Sequence, residues 1–201
     1  MRKSCRTEAG QGCWQGGFSL LEAIIIVAVT MVLVGLTGKA MFSARDNYNV
    51  TGTARQIASL AQLARTRAMA GDTRFRLVID TTARAYSTEM CNKNTSGTGC
   101  DSWSVARGTA PTLLPPRVNY STTTPVSISA PPPGNGTAPP IQATEMTFNS
   151  RGLLFDTTSG QPANTRCFYI QGNNKRPMAV CSTMMGQTSV FQWVGSEWKR
   201  Q

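Results

Sequence analysis

Histidine is absent from this chain of 201 residues, and that absence removes whole classes of chemistry. Without imidazole there is no Ser-His-Asp or Cys-His nucleophile and no histidine metal ligand. Acidic side chains are scarce too, ten against twenty Lys and Arg, so paired-carboxylate catalysis has few candidates. Asp80 and Asp156 come nearest to a pair, and each falls at a strand end where a solvated turn acid is expected. No CxxC spacing, P-loop or GxGxxG run occurs. The expectation is therefore no catalytic residues, no metal and no cofactor, in a protein that works by assembly or binding.

What the chain does have is one long apolar run. Phe18 to Thr37 holds 20 residues interrupted by a single charge, Glu22. At roughly 1.5 Å per residue, such a helix is long enough to cross a bilayer's hydrocarbon core. A short polar leader with Arg2, Lys3 and Arg6 precedes it. A secretory signal would be cut after its apolar segment, beside small residues. Here the candidate site, Gly17-Phe18, lies before that segment, so processing keeps the hydrophobic helix. A carboxylate inside a membrane helix costs several kcal/mol by contested estimates, so Glu22 points to a function. Its place near the helix start is favoured by the helix dipole. The plain alternative is a simple anchor whose glutamate reaches back to the interface.

Four of the six cysteines, Cys91, Cys100, Cys167 and Cys181, follow the apolar run. In an oxidising compartment an even number implies disulfides. Of three connectivities, local pairing is expected, Cys91–Cys100 and Cys167–Cys181, because each pair brackets a loop or hairpin. The net charge of +10 is spread along the chain rather than gathered in a run. That pattern suits a solvated basic surface, and also leaves nucleic acid or anionic lipid open as partners.

The period along the chain changes in step with these features. From Thr53 to Ala70, Ile57, Leu60, Ala61, Ala64 and Ala68 recur at helical spacing, with Arg55, Arg65 and Arg67 on or beside the other face. Gly71 is a C-terminal stop. Asn47, Asn49 and Gly52 suggest a kink or break over 46–52. Beyond Gly71, strands are expected at Arg74–Asp80 and Ala85–Met90, joined by a hairpin over Thr81–Arg84, and again at Ala143–Asn149, Gly152–Asp156, Arg166–Gln171, Pro177–Ser182 and Ser189–Val194. Asn149–Gly152 and Gly172–Lys175 read as turns. Nine of the eleven prolines lie between Ala110 and Pro140, a long loop with an irregular edge strand at Val126–Ile128. The sum is an α+β fold of about seven antiparallel strands packed on the second half of the helix.

The Gly17-Phe18 junction with Glu22 four residues on resembles the class III signal of type IV prepilins and type II secretion pseudopilins. The body resembles the GspH/FimT family of minor pseudopilins and minor pilins. It does so through Leu63-Ala64-Arg65-Thr66-Arg67-Ala68-Met69, the basic strand after Gly71, Met146-Thr147-Phe148-Asn149-Ser150-Arg151-Gly152, and two late cysteine strands. The resemblance implies a type IV pilin-like fold laid out as a cleaved leader over 1–17, a transmembrane and filament-core helix over 18–38, an amphipathic continuation over 39–71, and a periplasmic β domain over 72–201. It implies cleavage by prepilin peptidase after Gly17, N-methylation of Phe18, and pairing of Glu22 with a neighbour's amino terminus. The implied partners are other pilins or pseudopilins in a helical filament and an inner-membrane assembly platform. The implied place is the inner membrane, single-pass, with later incorporation into a pilus or pseudopilus. The function implied is priming or tipping that filament, in protein secretion or pilus assembly. A second reading, FimT-like DNA binding in natural transformation, has as candidates Lys175, Arg176, Lys199 and Arg200 near Trp193 and Trp198, where cations meet phosphate and aromatics stack on bases.

Overall fold

A computed structural model describes residues 19–95, 99–121, 141–157, 159–172, 177–195 and 197–201, without the side chains of 36, 37, 39, 40, 121, 141 and 142. The chain divides into two units, one ending at Met41 and one running from Phe42 to Gln201. A single helix, α1 (Leu20–Ala70), contributes to both. In the first unit Ser19 caps it, its hydroxyl accepting from the Glu22 backbone N–H at 3.2 Å.

In the second unit, Val50, Ala54, Ile57, Ala61, Ala64 and Ala68 are buried, recurring every three or four residues on one face of α1. Leu60 packs partly buried beside them. The break expected over 46–52 does not occur, since α1 runs through that stretch. Gly52 costs about 1 kcal/mol against alanine in a helix. Burial of Val50 and of the Ala54–Ala61 face offsets it, and Thr53 turns its hydroxyl back onto the Asn49 carbonyl at 2.8 Å. The helix ends as expected: Gly71 donates its N–H to the Arg67 carbonyl at 2.9 Å.

Among the described residues twelve strands follow: β1 (Phe75–Asp80), β2 (Ala85–Lys93), β3 (Cys100–Val105), β4 (Thr112–Leu113), β5 (Val118–Ser121), β6 (Ile141–Gln142), β7 (Glu145–Phe148), β8 (Leu154–Phe155), β9 (Arg166–Gly172), β10 (Met178–Ser182), β11 (Thr188–Val194) and β12 (Glu197–Arg200). They form two sheets. The first has the order β3-β2-β1-β7-β8 with β4 beside β2; the second has β12-β11-β10-β9-β5 with β6 beside β9. All pairs are antiparallel except β6 with β9. The β1–β2 hairpin turns where expected, with the Asp80 carboxylate accepting from the N–H groups of Thr82 and Ala83 at 2.8 and 2.9 Å. Asp80 is thus a turn acid.

The strands outnumber the expected seven for a physical reason. β3 carries Asp101, Ser102 and Ser104 and shows little apolar alternation, so its strand character comes from pairing with β2 across the hairpin. β4 and β5 lie inside the proline-rich segment expected to be a loop. Val118 of β5 is buried, and its ladder partner on β9, Gly172, lies 54 residues further along the chain. The remainder of that segment, including the edge strand expected at Val126–Ile128, lies outside the described residues.

Alternation along β1 points Phe75, Leu77 and Ile79 into the core beside Met146, Phe148 and Leu154 of the same sheet. The second sheet contributes Val118, Phe168, Ile170, Met178 and Val180 to that core, which is completed by the α1 face. A fully buried side chain of this size contributes about 1.5–3 kcal/mol. The other face of the second sheet is also covered, by Cys167, Tyr169, Ala179, Cys181, Phe191 and Trp198. Burial on both faces explains why β9 and β10 read as continuous apolar runs.

Burial pushes the Tyr169 phenol up to about 12, raises Tyr86, and raises Tyr120, where the neighbouring Tyr86 adds to the effect. Unfolded tyrosine ionises near pH 10. The folded state therefore keeps its proton where the unfolded chain releases it, so stability is full below about pH 10 and falls as pH rises toward 12. Urea midpoints measured from pH 9 to 12 should drop across that window, and Tyr169→Phe should make the drop shallower.

Candidate functional site

The apolar run and Glu22 are one candidate site, and it belongs to the first unit. Every large apolar side chain from Leu20 to Val34 is exposed, on all sides of the helix. A helix apolar all round needs a covering of lipid or of other helices. Glu22 stands exposed in the first turn, where the helix dipole favours a carboxylate. Gly17 and Phe18 lie outside the described residues. Among the described residues, no helix is long and apolar enough to cross a membrane. The expected span of 18–38 includes Phe18, Leu36 and Thr37, whose side chains are not among those described.

In the second unit, several basic side chains hold the fold together. Arg65 was expected beside the solvent face of α1; it is half-buried, and its Nε donates to the Gly152 carbonyl at 3.1 Å. Gly152 and Gly186 both have positive φ, 73° and 74°. A Cβ on Gly186 would collide with the Gly152 carbonyl oxygen and the Arg65 side chain. Arg65 is thus clasped between the turn after β7 and the turn after β10, one from each sheet. Arg67 donates to the Arg107 carbonyl at 3.2 Å.

A charged ladder crosses the outward face of the first sheet. Arg76 on β1 reaches Glu89 on β2 at 2.6 Å and Glu145 on β7 at 3.0 Å, and its guanidinium lies 4.3 Å from the Trp103 ring centre. Arg166 pairs with Asp156 at 3.0 Å, so Asp156 is an ion-pair partner rather than the solvated turn acid expected. Period-two alternation puts Arg76 opposite the core, but nothing in sequence reveals its two acids, which are 13 and 69 residues away. The Arg65 contact has a faint sequence signal, since Gly152 and Gly186 mark turns.

The four cysteines pair as Cys91–Cys100, closing the β2–β3 hairpin, and Cys167–Cys181, joining directly opposed residues of β9 and β10. Among the described residues, no group of three or more Cys, Asp or Glu side chains could hold a metal.

Of the four nucleic-acid candidates, Lys199 and Arg200 are among the described residues. Lys175 and Arg176 lie outside the described residues. Lys199 and Arg200 are exposed on β12, and alternation points them to opposite faces. Lys199 pairs with Glu197 at 3.2 Å. Trp198 is buried, edge-on to Trp193 at 5.4 Å and tilted against Tyr169 at 6.0 Å. Stacking on bases needs an exposed ring, so Trp198 is part of the core here and not a binding platform.

A helix bearing a small-residue face under two antiparallel sheets, with an apolar run ahead of it, defines a pilin-type α+β subunit. Residues 53–186 match the family model for the type II transport protein GspH, and the chain belongs to that family. Two solved structures of the minor pseudopilin EpsH from the type II secretion system of Vibrio cholerae are similar at 14% identity and a TM-score of 0.44. One covers 71% of this chain and 95% of its own, the other 76% and 96%. No curated protein sequence matches the chain.

The clasp yields a test. Gly186→Ala forces a Cβ into the Gly152 carbonyl and strains a positive-φ turn. It should lower unfolding free energy by about 1–3 kcal/mol in urea titration. Gly160→Ala, a positive-φ glycine with open space around it, separates the strain from the collision.

Proposed function

We propose that this chain is a pseudopilus subunit that acts by assembling, and that its working site is the start of α1. The observation that carries the reading is the exposed apolar surface from Leu20 to Val34 with one carboxylate, Glu22, in its first turn. Prepilin peptidase cuts after Gly17, Phe18 is N-methylated, and residues 18–38 hold the chain in the inner membrane with its globular domain in the periplasm. When the subunit leaves the membrane through the assembly platform, neighbouring pseudopilin helices replace lipid around the apolar surface. Glu22 then pairs with the free amine of an adjacent subunit, which neutralises a carboxylate that would be costly in that setting. The subunit primes or tips the filament that drives protein secretion.

A second reading, FimT-like DNA binding, is supported by the +10 charge and the exposed Lys199 and Arg200. The buried Trp198 and the Lys199–Glu197 pair weigh against it.

Glu22→Ala should leave the chain cleaved and membrane-bound yet reduce its recovery in sheared or cross-linked filaments. Normal incorporation of that variant would remove the role given to Glu22. Gly17→Trp should leave the leader attached, visible as a larger species on an immunoblot of the membrane fraction.

A further inference from the structure

At the start of the second unit, α1 and the turn before β5 enclose a cavity of about 220 Å³, lined by Phe42, Arg45, Asp46, Asn49, Pro116 and Arg117. Phe42, Arg45 and Asn49 recur at helical spacing along one face of α1. Gly172 at the end of β9 lets the helix come close, since a Cβ there would lie 2.6 Å from the Val50 side chain. Asp46 is buried, with its carboxylate 3.8 Å from the Arg117 guanidinium. That separation is longer than a hydrogen bond, and the Arg117 side chain is 55% exposed, so its N–H donors still face outward. Arg45 is exposed and has no ion-pair partner among the described residues.

Large aromatic side chains stand uncovered beside these cations, Phe42 at 61% exposure and Tyr48 at 81%. Arginines next to exposed rings at the end of an apolar helix suit a membrane interface, where rings sit at headgroup level and cations meet phosphate. Chain order alone holds the group at that level. Phe42 and Arg45 come four and seven residues after the 18–38 span, about 6 and 10 Å along a helix. Headgroups extend about 5–8 Å beyond the hydrocarbon on each side. Helical side chains lean toward the N-terminus, so Arg45 reaches back toward the phosphates. Arg117 holds a positive φ of 67°, a conformation that costs an arginine more than a glycine. A soluble anion would engage the two guanidinium groups but leave Phe42 in water, whereas a lipid meets both.

We propose that Arg45 and Arg117, with Phe42 beside them, are a docking surface for the headgroup of an anionic phospholipid. The lipid phosphate accepts from both guanidinium groups, and the Phe42 ring rests against the glycerol and upper acyl chain. This rests on the placement of residues 18–38 in the membrane. It adds a preference for anionic lipid, which an apolar span does not supply by itself.

The test uses the full chain in mixed micelles holding equal amounts of phosphatidylglycerol and phosphatidylcholine, with bound lipid counted by native mass spectrometry. The wild type should retain phosphatidylglycerol in preference. Arg45→Gln and Arg117→Gly should each cut that preference about fivefold. Both variants keep the fold, because Arg45 is exposed on the helix and glycine takes a positive φ freely. Arg107→Gln, an exposed change near the other end of α1, should have no effect. A preference equal in all four proteins would assign lipid retention to the apolar span and overturn the proposal, as would an equal loss from Arg107→Gln. Displacement of the lipid by inorganic phosphate would overturn it in favour of a free anion. Alkaline extraction from phosphatidylcholine vesicles tests the anchor separately. A chain that resists extraction but shows no preference loses only the headgroup site, whereas one that is extracted loses the anchor as well.

Discussion

The second unit depends on one narrow seam of α1. Ala54, Ala61, Ala64 and Ala68 present little more than methyl groups, so Leu77 and Phe148 of one sheet and Phe168, Ile170 and Val180 of the other can share a single core with the helix. Larger side chains at those positions would hold the sheets off and leave voids, and interiors tolerate neither voids nor overpacking. The same seam explains why Asn49 and Gly52 fail to break the helix, because packing on one face outweighs a weak local propensity.

The basic residues divide by position. Arg65, Arg67, Arg76 and Arg166 each have a partner inside the fold, to carbonyls, to carboxylates or to an aromatic face. Such contacts fasten elements far apart in sequence, and guanidinium groups suit them because they are planar and multidentate. The positive charge seen in the composition is therefore only partly available to a partner. Lys199 and Arg200 on β12 stay exposed, and alternation points them to opposite faces.

Much of this was legible in the residues. The amphipathic half of α1, the β1–β2 hairpin, the cysteine strands β9 and β10 and the stop at Gly71 all follow from periodicity and turn chemistry. The GspH family was legible through short motifs around Arg65 and Asn149. Several features were not. β3, β4, β5 and β12 have weak patterns of their own and exist because a neighbouring strand offers a ladder. The helix through 46–52 carried local signals for a break, and Trp198 looked like an exposed aromatic beside two cations.

Local chemistry sets local structure: apolar spacing and the glycines at turns each act within a few residues, so the sequence alone determined where the amphipathic half of α1 and the strongest strands lie. It also placed the lone carboxylate of Glu22 within an apolar run, since that is a matter of order along the chain. The tertiary structure decided which groups meet. Glu89 and Glu145 converge on Arg76, two distant turns close on Arg65, and Trp198 turns inward to Tyr169. Those choices depend on long-range pairing between strands, where register carries a side chain to one face or the other, and no short stretch of sequence contains that information.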